Sequence, residues 1–438
     1  LPLQFRRFRD LAARWLSPGE VTERWNEWNL YREITWFGVL SGVNATFTSV
    51  FALRLGASNL LIGLLTSLPA LVNVLFQIPA ARLVEQEQDR RRILLLSGFL
   101  MRLPAFLVAL VPLLPAGLRG GAVVHITALG AIPAAVGTLS FTAVLADVIA
   151  AQRRARVVSV RNALLSAATT LTVLVAGKTL EVLPFPFGYQ LVFALAFAAS
   201  LISLYYLGRL VVSRGDSQGQ DRAQHAERID LRRAVRLAAS QRDYVRFTVG
   251  AFVYHWGLYL PIPLYAIYRV RTLHLSESWI GALSTLESAT TITAYFLWGR
   301  LAQRRGSRLV ALCGTLLVCF YPIGMALSST AWPLLFVVFV GGIAGPALNL
   351  GLFNGLLEVA PAERRATYVG LYNTLMNIAA FISPLLGTAA AGALGVRTAL
   401  WIGGAMRIGG FVAFAILLLG RGNGLGMTRV QRKKAQPT

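Results

Sequence analysis

The sequence is short of the side chains that keep a folded protein in water. Only 14% of its 438 residues are charged, and acidic residues number 19 against 42 basic ones. Soluble domains carry about a quarter charged residues, and a chain that is 55% apolar would show water more hydrocarbon than a folded surface tolerates. A soluble globular enzyme is excluded, and the solvent is lipid. Cysteine is scarce too. Cys313 and Cys319 lie on different faces of one apolar run, so both read as packing thiols rather than a disulfide or metal pair. The four histidines, at 125, 225, 255 and 274, are scattered and no H-E-x-x-H occurs, so neither a metal nor a cofactor is expected. Ala176-Gly177-Lys178-Thr179 has the end of a phosphate-binding loop, but Thr172 stands where the first Gly belongs, and ATP drive is not supported.

Long apolar runs are what the chain has instead. A bilayer core needs about 20 mostly apolar residues per helix, and twelve such runs fall near 34–53, 60–81, 93–114, 122–146, 158–182, 188–208, 247–268, 278–299, 309–328, 332–357, 367–392 and 398–420. Barrel strands would alternate over about 10 residues, so the pattern predicts an all-α membrane protein with twelve transmembrane helices. The expected organisation is an amphipathic N-terminal segment (1–33), a six-helix bundle (34–208), a polar central linker (209–246), a second six-helix bundle (247–420) and a basic tail (421–438). Within the first segment, residues 3–16 separate aromatic and aliphatic side chains from arginines, as an interfacial helix does. Ser17-Pro18-Gly19-Glu20 then reads as a capping box that restarts a helix towards the first span.

Most of the basic residues sit in the two tails and in the loops after even-numbered spans; Arg54, Arg119, Arg269, Arg271 and Arg397 fall in the opposite loops. The positive-inside rule therefore predicts a multi-pass protein of the plasma or bacterial inner membrane with both termini cytoplasmic. The formal charge of +23 then reflects contact with membrane lipids and not with nucleic acid.

The two halves repeat. A shift of 211 residues aligns Leu145–Leu164 with Leu356–Leu375 without gaps, with Arg153/Arg364, Arg154/Arg365, Asn162/Asn373 and six further positions identical and Asp147/Glu358 conservative. Ile62-Gly63 matches Ile280-Gly281 in the same way, and Arg82-Leu83 matches Arg300-Leu301. Gly299-Arg300-Leu301-Ala302-Gln303-Arg304-Arg305-Gly306-Ser307-Arg308, together with the more degenerate Ala81–Glu85 and Arg90–Arg92, resembles the loop signature G-x-L-A-D-R-x-G-R-[RK] of the major facilitator superfamily. The resemblance covers about 30–420. It implies two bundles related by a parallel repeat and a secondary transporter that moves a small solute by alternating access. It also implies cytoplasmic latches, carried onto Glu85 with Arg90, Arg91 and Arg92 and onto Arg304 with Arg308, partnered by Asp147 and Glu358. Gln303 and Ser307 depart from the motif, and the family's antiporter Gly-Pro pair is missing from the fifth span.

Ionisable groups inside spans are functional candidates by default. Glu287, near the middle of the eighth span, shares a helical stripe with Ser284, Ser288, Thr291 and Tyr295. A carboxyl in a low-dielectric site can exchange a proton with its surroundings, so Glu287 is the candidate for proton coupling; a structural carboxylate facing an arginine is the even alternative. Polar stripes that could line a wet cavity include Asn44 and Thr48 on the first span, Asn73 and Gln77 on the second, and Asn373 and Asn377 on the eleventh. The same residues could equally hydrogen-bond helix to helix. The seventh span offers Tyr254, His255 and Tyr259 before Pro261 and Pro263, as in an interrupted helix lined by aromatic faces. Arg102 and Arg407 are expected in structural ion pairs, Lys178 and Glu181 to neutralise each other, and His125 to bond its own helix. The function expected is secondary transport of a small solute, with protons as a possible partner and no catalysis. The alternative is a non-transporting assembly or sensory protein that keeps the carrier fold.

Overall fold

A computed structural model describes residues 18–86, 90–211, 231–361 and 365–419. Among these residues the regular structure is entirely helical, in twelve rods that follow the apolar runs. They are α1 (Pro18–Arg54), α2 (Asn59–Gln86), α3 (Arg90–Leu100 and Leu103–Leu110), α4 (Ala116–Val148), α5 (Ala151–Val182), α6 (Phe187–Leu207), α7 (Arg242–Tyr259 and Ile262–Ile267), α8 (Glu277–Arg305), α9 (Ser307–Leu327), α10 (Ala331–Val359), α11 (Arg365–Leu394) and α12 (Val396–Leu419). Ten are long and apolar enough to cross a bilayer; the other two are the broken α7 and the charged α8.

α1 starts at the expected capping box and crosses residue 33 without a break. It runs unbroken from Pro18, because Val21, Trp25 and Leu30 are buried and the polar residues between them are used. The Trp25 indole donates to the Arg209 carbonyl at 3.1 Å, and Asn26 exchanges two bonds with the Val211 backbone. The end of α6 is thereby strapped to the first turns of α1. Residues 3–16 lie outside the described residues. Within the expected linker, Leu231–Ser240 forms a further short helix, held where Tyr368 of α11 donates to the Leu237 carbonyl at 3.3 Å.

The packing repeats from half to half. α1 lies on α5 and α6, α2 on α4, and α3 on α4 and α6; correspondingly α7 lies on α11 and α12, α8 on α10, and α9 on α10 and α12. The bundles meet where α2 touches α11 and α5 touches α8. Small residues make that approach possible. A Cβ on Gly63 would stand 2.5 Å from Thr388 Oγ1, and one on its repeat mate Gly281 would stand 3.0 Å from the Val173 carbonyl.

Two rods are broken, and a buried arginine sits at each break. Pro104 interrupts α3; the Arg102 N–H bonds back to the Phe99 carbonyl, and the Arg102 side chain takes the Gly98 carbonyl at 2.6 Å. Pro261 interrupts α7 and has no N–H to return to the Gly257 carbonyl. Arg407 of α12 donates to that carbonyl at 3.0 Å, to that of Leu258 at 2.7 Å and to that of Val318 in α9 at 2.9 Å. The five donors of a guanidinium suit this task, since buried carbonyls need partners. Arg407 is thus held by backbone carbonyls, with its cation 5.9 Å from the Tyr265 ring, where an acid partner was expected.

Candidate functional site

The loops after odd-numbered rods define one end of the molecule, called here the far end; the first and last described residues, Pro18 and Leu419, belong to the other, the terminus end. The polar contacts between bundles gather at the far end. Arg54, closing α1, donates to Glu277 at 2.9 Å and to the Leu275 carbonyl at 3.0 Å. Arg271, just beyond α7, donates to Asn59 at 2.6 Å and to the Ala57 carbonyl. The two sets are repeat mates. The shift of 218 residues that carries Ile62-Gly63 onto Ile280-Gly281 also carries Ala57 onto Leu275 and Asn59 onto Glu277. Each bundle therefore lends an arginine from the end of its first rod to the start of the other's second rod. Tyr189 of α6 adds a donor to Glu277 at 3.0 Å. Ser278 adds one to Glu181, which also holds Lys178 at 3.1 Å.

Deeper in the second bundle, Glu287 faces groups that the spacing of α8 could not reveal. The Tyr321 hydroxyl of α9 donates to Glu287 Oε2 at 3.4 Å and accepts from Arg269 Nη2 at 2.8 Å. Arg269 belongs to a π-helical turn, Tyr268–Thr272, that extends α7. The turn is anchored where Tyr268 donates to the Ser328 carbonyl at 2.8 Å and accepts from Arg397. The Tyr265 ring lies 4.8 Å from that of Tyr321. On the α10 side the wall is glycine: a Cβ on Gly341 would come 3.7 Å from Glu287 Oε1, and one on Gly342 would strike Thr290. The carboxylate thus meets an arginine through a tyrosine hydroxyl, and this arginine had read as a loop residue.

The predicted lining residues disperse. Asn44 and Thr48 border a cavity of about 240 Å³ inside the first bundle, with Ser49, Thr66, Pro104 and Thr127. Asn73 and Gln77 are exposed on α2, and Asn373 is exposed on α11, where Asn377 donates to its carbonyl at 2.9 Å. On α8, Ser284 and Ser288 are half-buried, with Ser288 bonded to the Ser284 carbonyl, and Thr291 reaches the Gly342 carbonyl of α10 at 3.2 Å. Tyr254 is a correction: it is wholly buried between α9 and α12, donating to the Thr315 carbonyl at 3.0 Å, so it belongs to the core. His255 is buried on its own helix carbonyl of Ala251, against Tyr259 and Tyr372. His125 likewise meets the Gly121 carbonyl.

The predicted latches also divide. The side chains of Glu85 and Arg90 lie outside the described residues. Arg91 donates to the Gly208 carbonyl, Arg92 and Arg304 are exposed, and Asp147 is exposed beside a polar cavity with Glu23 and Arg154. Arg308 is spent on the Leu418 carbonyl at 2.6 Å, and Glu358 accepts from Ser307, so the expected Arg308 and Glu358 pairing does not form. Both contacts stay inside the second bundle.

One buried acid went unnoticed because it falls just before the first apolar run. Glu33 receives Arg161 of α5 at 2.8 Å and Ser203 of α6 at 3.1 Å, with Arg102 of α3 at 3.8 Å. Arg161 also lies 4.3 Å from the Phe141 ring of α4. Four rods of the first bundle therefore converge on one carboxylate, and Arg102 has the ion-pair setting expected of it.

The chain resembles known proteins along two lines. It is 31% identical over 162 residues to a staphyloferrin B transporter of Staphylococcus aureus, which is 34% of this chain and 36% of that protein. It is 31% identical over 150 residues to a chloramphenicol resistance protein of Streptomyces lividans, again 34% of this chain and 36% of the relative. The match thus spans about a third of these relatives' length. In fold it is similar to a bacterial homologue of the lysosomal transporter Spinster in an inward-facing, unoccupied conformation, with a TM-score of 0.68, 16% identity, and 92% of this chain and 96% of that one covered. The family model of the Major Facilitator Superfamily matches residues 35–242 and 247–436. With twelve rods in two repeated bundles and the match running through both, the chain belongs to the major facilitator superfamily.

Proposed function

We propose that the protein is a secondary transporter that couples the passage of a small organic solute to protons taken up and released at Glu287, with both termini in the cytoplasm. The observation that carries this reading is the setting of Glu287: a carboxylate in the middle of α8, answered by Arg269 through the Tyr321 hydroxyl and not by a direct ion pair. An acid held this loosely can gain a proton without stranding a bonded cation, since Arg269 keeps its tyrosine. A carboxylate that is part of a structure-forming pair, as Glu33 is, could not. Contacts at the far end, with the bundles joined there through Arg54 and Arg271, suit a carrier whose other end is the open one. The transport role in the name of the staphyloferrin B relative points the same way.

The test is proton movement. Proteoliposomes loaded with a pH-sensitive dye and challenged in turn with chloramphenicol, benzoate and benzylamine are expected to show, for at least one of the three, a pH change in excess of that in protein-free liposomes when they carry the native chain. Glu287→Gln should abolish that excess while the variant still elutes as a folded monodisperse protein. Full solute-driven proton flux in Glu287→Gln would refute the assignment.

A further inference from the structure

Arg269 and Tyr265 carry donors that the protein itself does not use. Arg269 Nε and the Tyr265 hydroxyl are both shut off from solvent, and neither makes a hydrogen bond of good geometry, the Tyr265 hydroxyl having only the guanidinium of Arg407 close by. Buried polar atoms in native structures are nearly always bonded, and each exception calls for an explanation such as a water or an ion. Here the two exceptions flank the same tyrosine: Tyr321 accepts from Arg269 Nη2 at 2.8 Å and packs against Tyr265 at 4.8 Å. The local charge also favours an anion. Within this part of the second bundle stand one carboxylate, Glu287, and the guanidiniums of Arg269, Arg407 and Arg397, the last of them held on the Tyr268 hydroxyl. Arg407 is committed to three backbone carbonyls, so the guanidinium with a free edge is that of Arg269. A planar guanidinium edge matches the two oxygens of a carboxylate or phosphonate, and a neighbouring hydroxyl completes the set.

We infer that Arg269 Nε and the Tyr265 hydroxyl bind an oxyanion group of the transported solute, making the substrate class an organic anion. The inference rests on the proposed proton-coupled transport and adds the solute's charge to it. Glu287 and the anion then compete for the field of one arginine. Protonation of Glu287 removes the competing negative charge, so proton and anion bind together. The other groups around Glu287 do not change this balance. From α9 comes Tyr321, from α7 Tyr265, and from α10 the glycines 341 and 342. The charges of α5 lie elsewhere, Lys178 with Glu181 at the far end and Arg161 on Glu33.

The experiment uses the full chain purified in detergent and four probes built on one ring: benzoate, phenylphosphonate, benzamide and benzylamine. The melting temperature is followed against probe concentration at pH 5.5 and 7.5. Benzoate or phenylphosphonate should stabilise, and the better of the two separates a carboxylate from a phosphate-like group. Benzamide and benzylamine should not. Anion affinity should rise as pH falls, by up to tenfold per pH unit for one linked proton. Arg269→Gln should weaken the anion by about 30-fold, the scale of removing one partner of a buried charge pair. Tyr265→Phe, which changes one atom and is expected to fold normally, should weaken it several-fold. Glu287→Gln should keep anion binding and lose its pH dependence. No stabilisation by either anion, or equal affinity in Tyr265→Phe and the native chain, overturns the inference, as does stabilisation by benzylamine that requires Glu287. Proton flux lost in Glu287→Gln alongside any of those results leaves the transport reading standing. Anion binding that depends on Arg269 but not on pH leaves the anion site standing and removes the proton from the reading.

Discussion

Arg54→Gln should open the far end. The substitution removes a charge-assisted bond of 2.9 Å to Glu277 and weakens the 3.0 Å bond to the Leu275 carbonyl. A hydrogen bond to a charged group is worth about 1.5–3 kcal/mol, but the Arg54 side chain is 32% exposed, and water screens it. Glu277 is only 13% exposed and keeps Tyr189, so the net loss is about 1–2 kcal/mol, a factor of about 5–30 in the ratio of the two end states. The repeat mate supplies a change of opposite sign. Arg271 meets the neutral Asn59 at 2.6 Å, and Asn59→Asp gives it the charge that Glu277 already gives Arg54. The populations can be read from the distance between spin labels at Gln152 and Gln303, both exposed at the terminus ends of α5 and α8, in a background with Cys313 and Cys319 replaced by Ala. Opening the far end brings these two ends together. Arg54→Gln should enlarge the short-distance population at least fivefold, and Asn59→Asp should diminish it. Distributions that are unchanged in both variants, or that move the same way in both, would refute the idea that these paired contacts hold the far end shut.

Two further predictions concern the buried charges. Arg407→Met strips donors from the Gly257, Leu258 and Val318 carbonyls; at about 1–3 kcal/mol per orphaned group, less the relief of no longer burying a cation, the melting temperature should fall clearly. Pro261→Ala restores an N–H opposite the Gly257 carbonyl and should recover part of that loss in the double variant; strictly additive effects would contradict the plugging role. Glu33→Gln leaves Arg161 and Arg102 facing a neutral group in a site where Glu33 is 6% exposed, and breaking such a pair from one side costs about 3–5 kcal/mol. Glu33→Gln combined with Arg161→Gln should cost less than the sum of the two, in thermal or detergent unfolding, and equality with the sum would dismiss the coupling.

The rods were legible because hydropathy over about 20 residues is a coarse quantity that survives isolated polar residues. The predicted 309–328 and the observed Ser307–Leu327 differ by a residue or two at each end. What failed was polar burial. Glu33 sits among Tyr31, Arg32 and Thr35, a stretch that looks interfacial until α3, α5 and α6 close on it. Tyr254 reads as one of the aromatic faces of a proline-broken segment, although helical spacing alone gives no sign of which neighbour a face will meet, and its neighbours are α9 and α12. Glu287 was found because a carboxylate in an apolar run stands out by itself. Its partners were not, because Tyr321 is an ordinary aromatic in α9 and Arg269 sits where arginines anchor loops to headgroups. The far-end contacts had one signal within reach: extending the repeat by a few residues from Ile62/Ile280 pairs Asn59 with Glu277, and Arg54 falls within one residue of Arg271.

That one-residue offset matters for how the site and the far end can act together. Arg271 and Arg269 belong to the same π-helical turn, two residues apart. One points to Asn59 and the Ala57 carbonyl of the other bundle, the other to Tyr321 and Glu287 within its own. The turn is pinned by Tyr268 on the Ser328 carbonyl, so a movement of Arg269 towards a new anionic partner cannot be absorbed by a slack loop. Any part of that movement taken up by the backbone rotates the turn and with it Arg271. The first bundle has no such device: Pro69 occupies the repeat position of Glu287, and its buried acid, Glu33, is fixed by two arginines and a serine. Duplication thus left both halves the same far-end contact, but joined it through one turn to the Tyr321–Glu287 contact in only one. On the proposed reading the second bundle would sense the cargo, and the first would supply the fixed surface, Ala57 and Asn59, from which Arg271 has to detach.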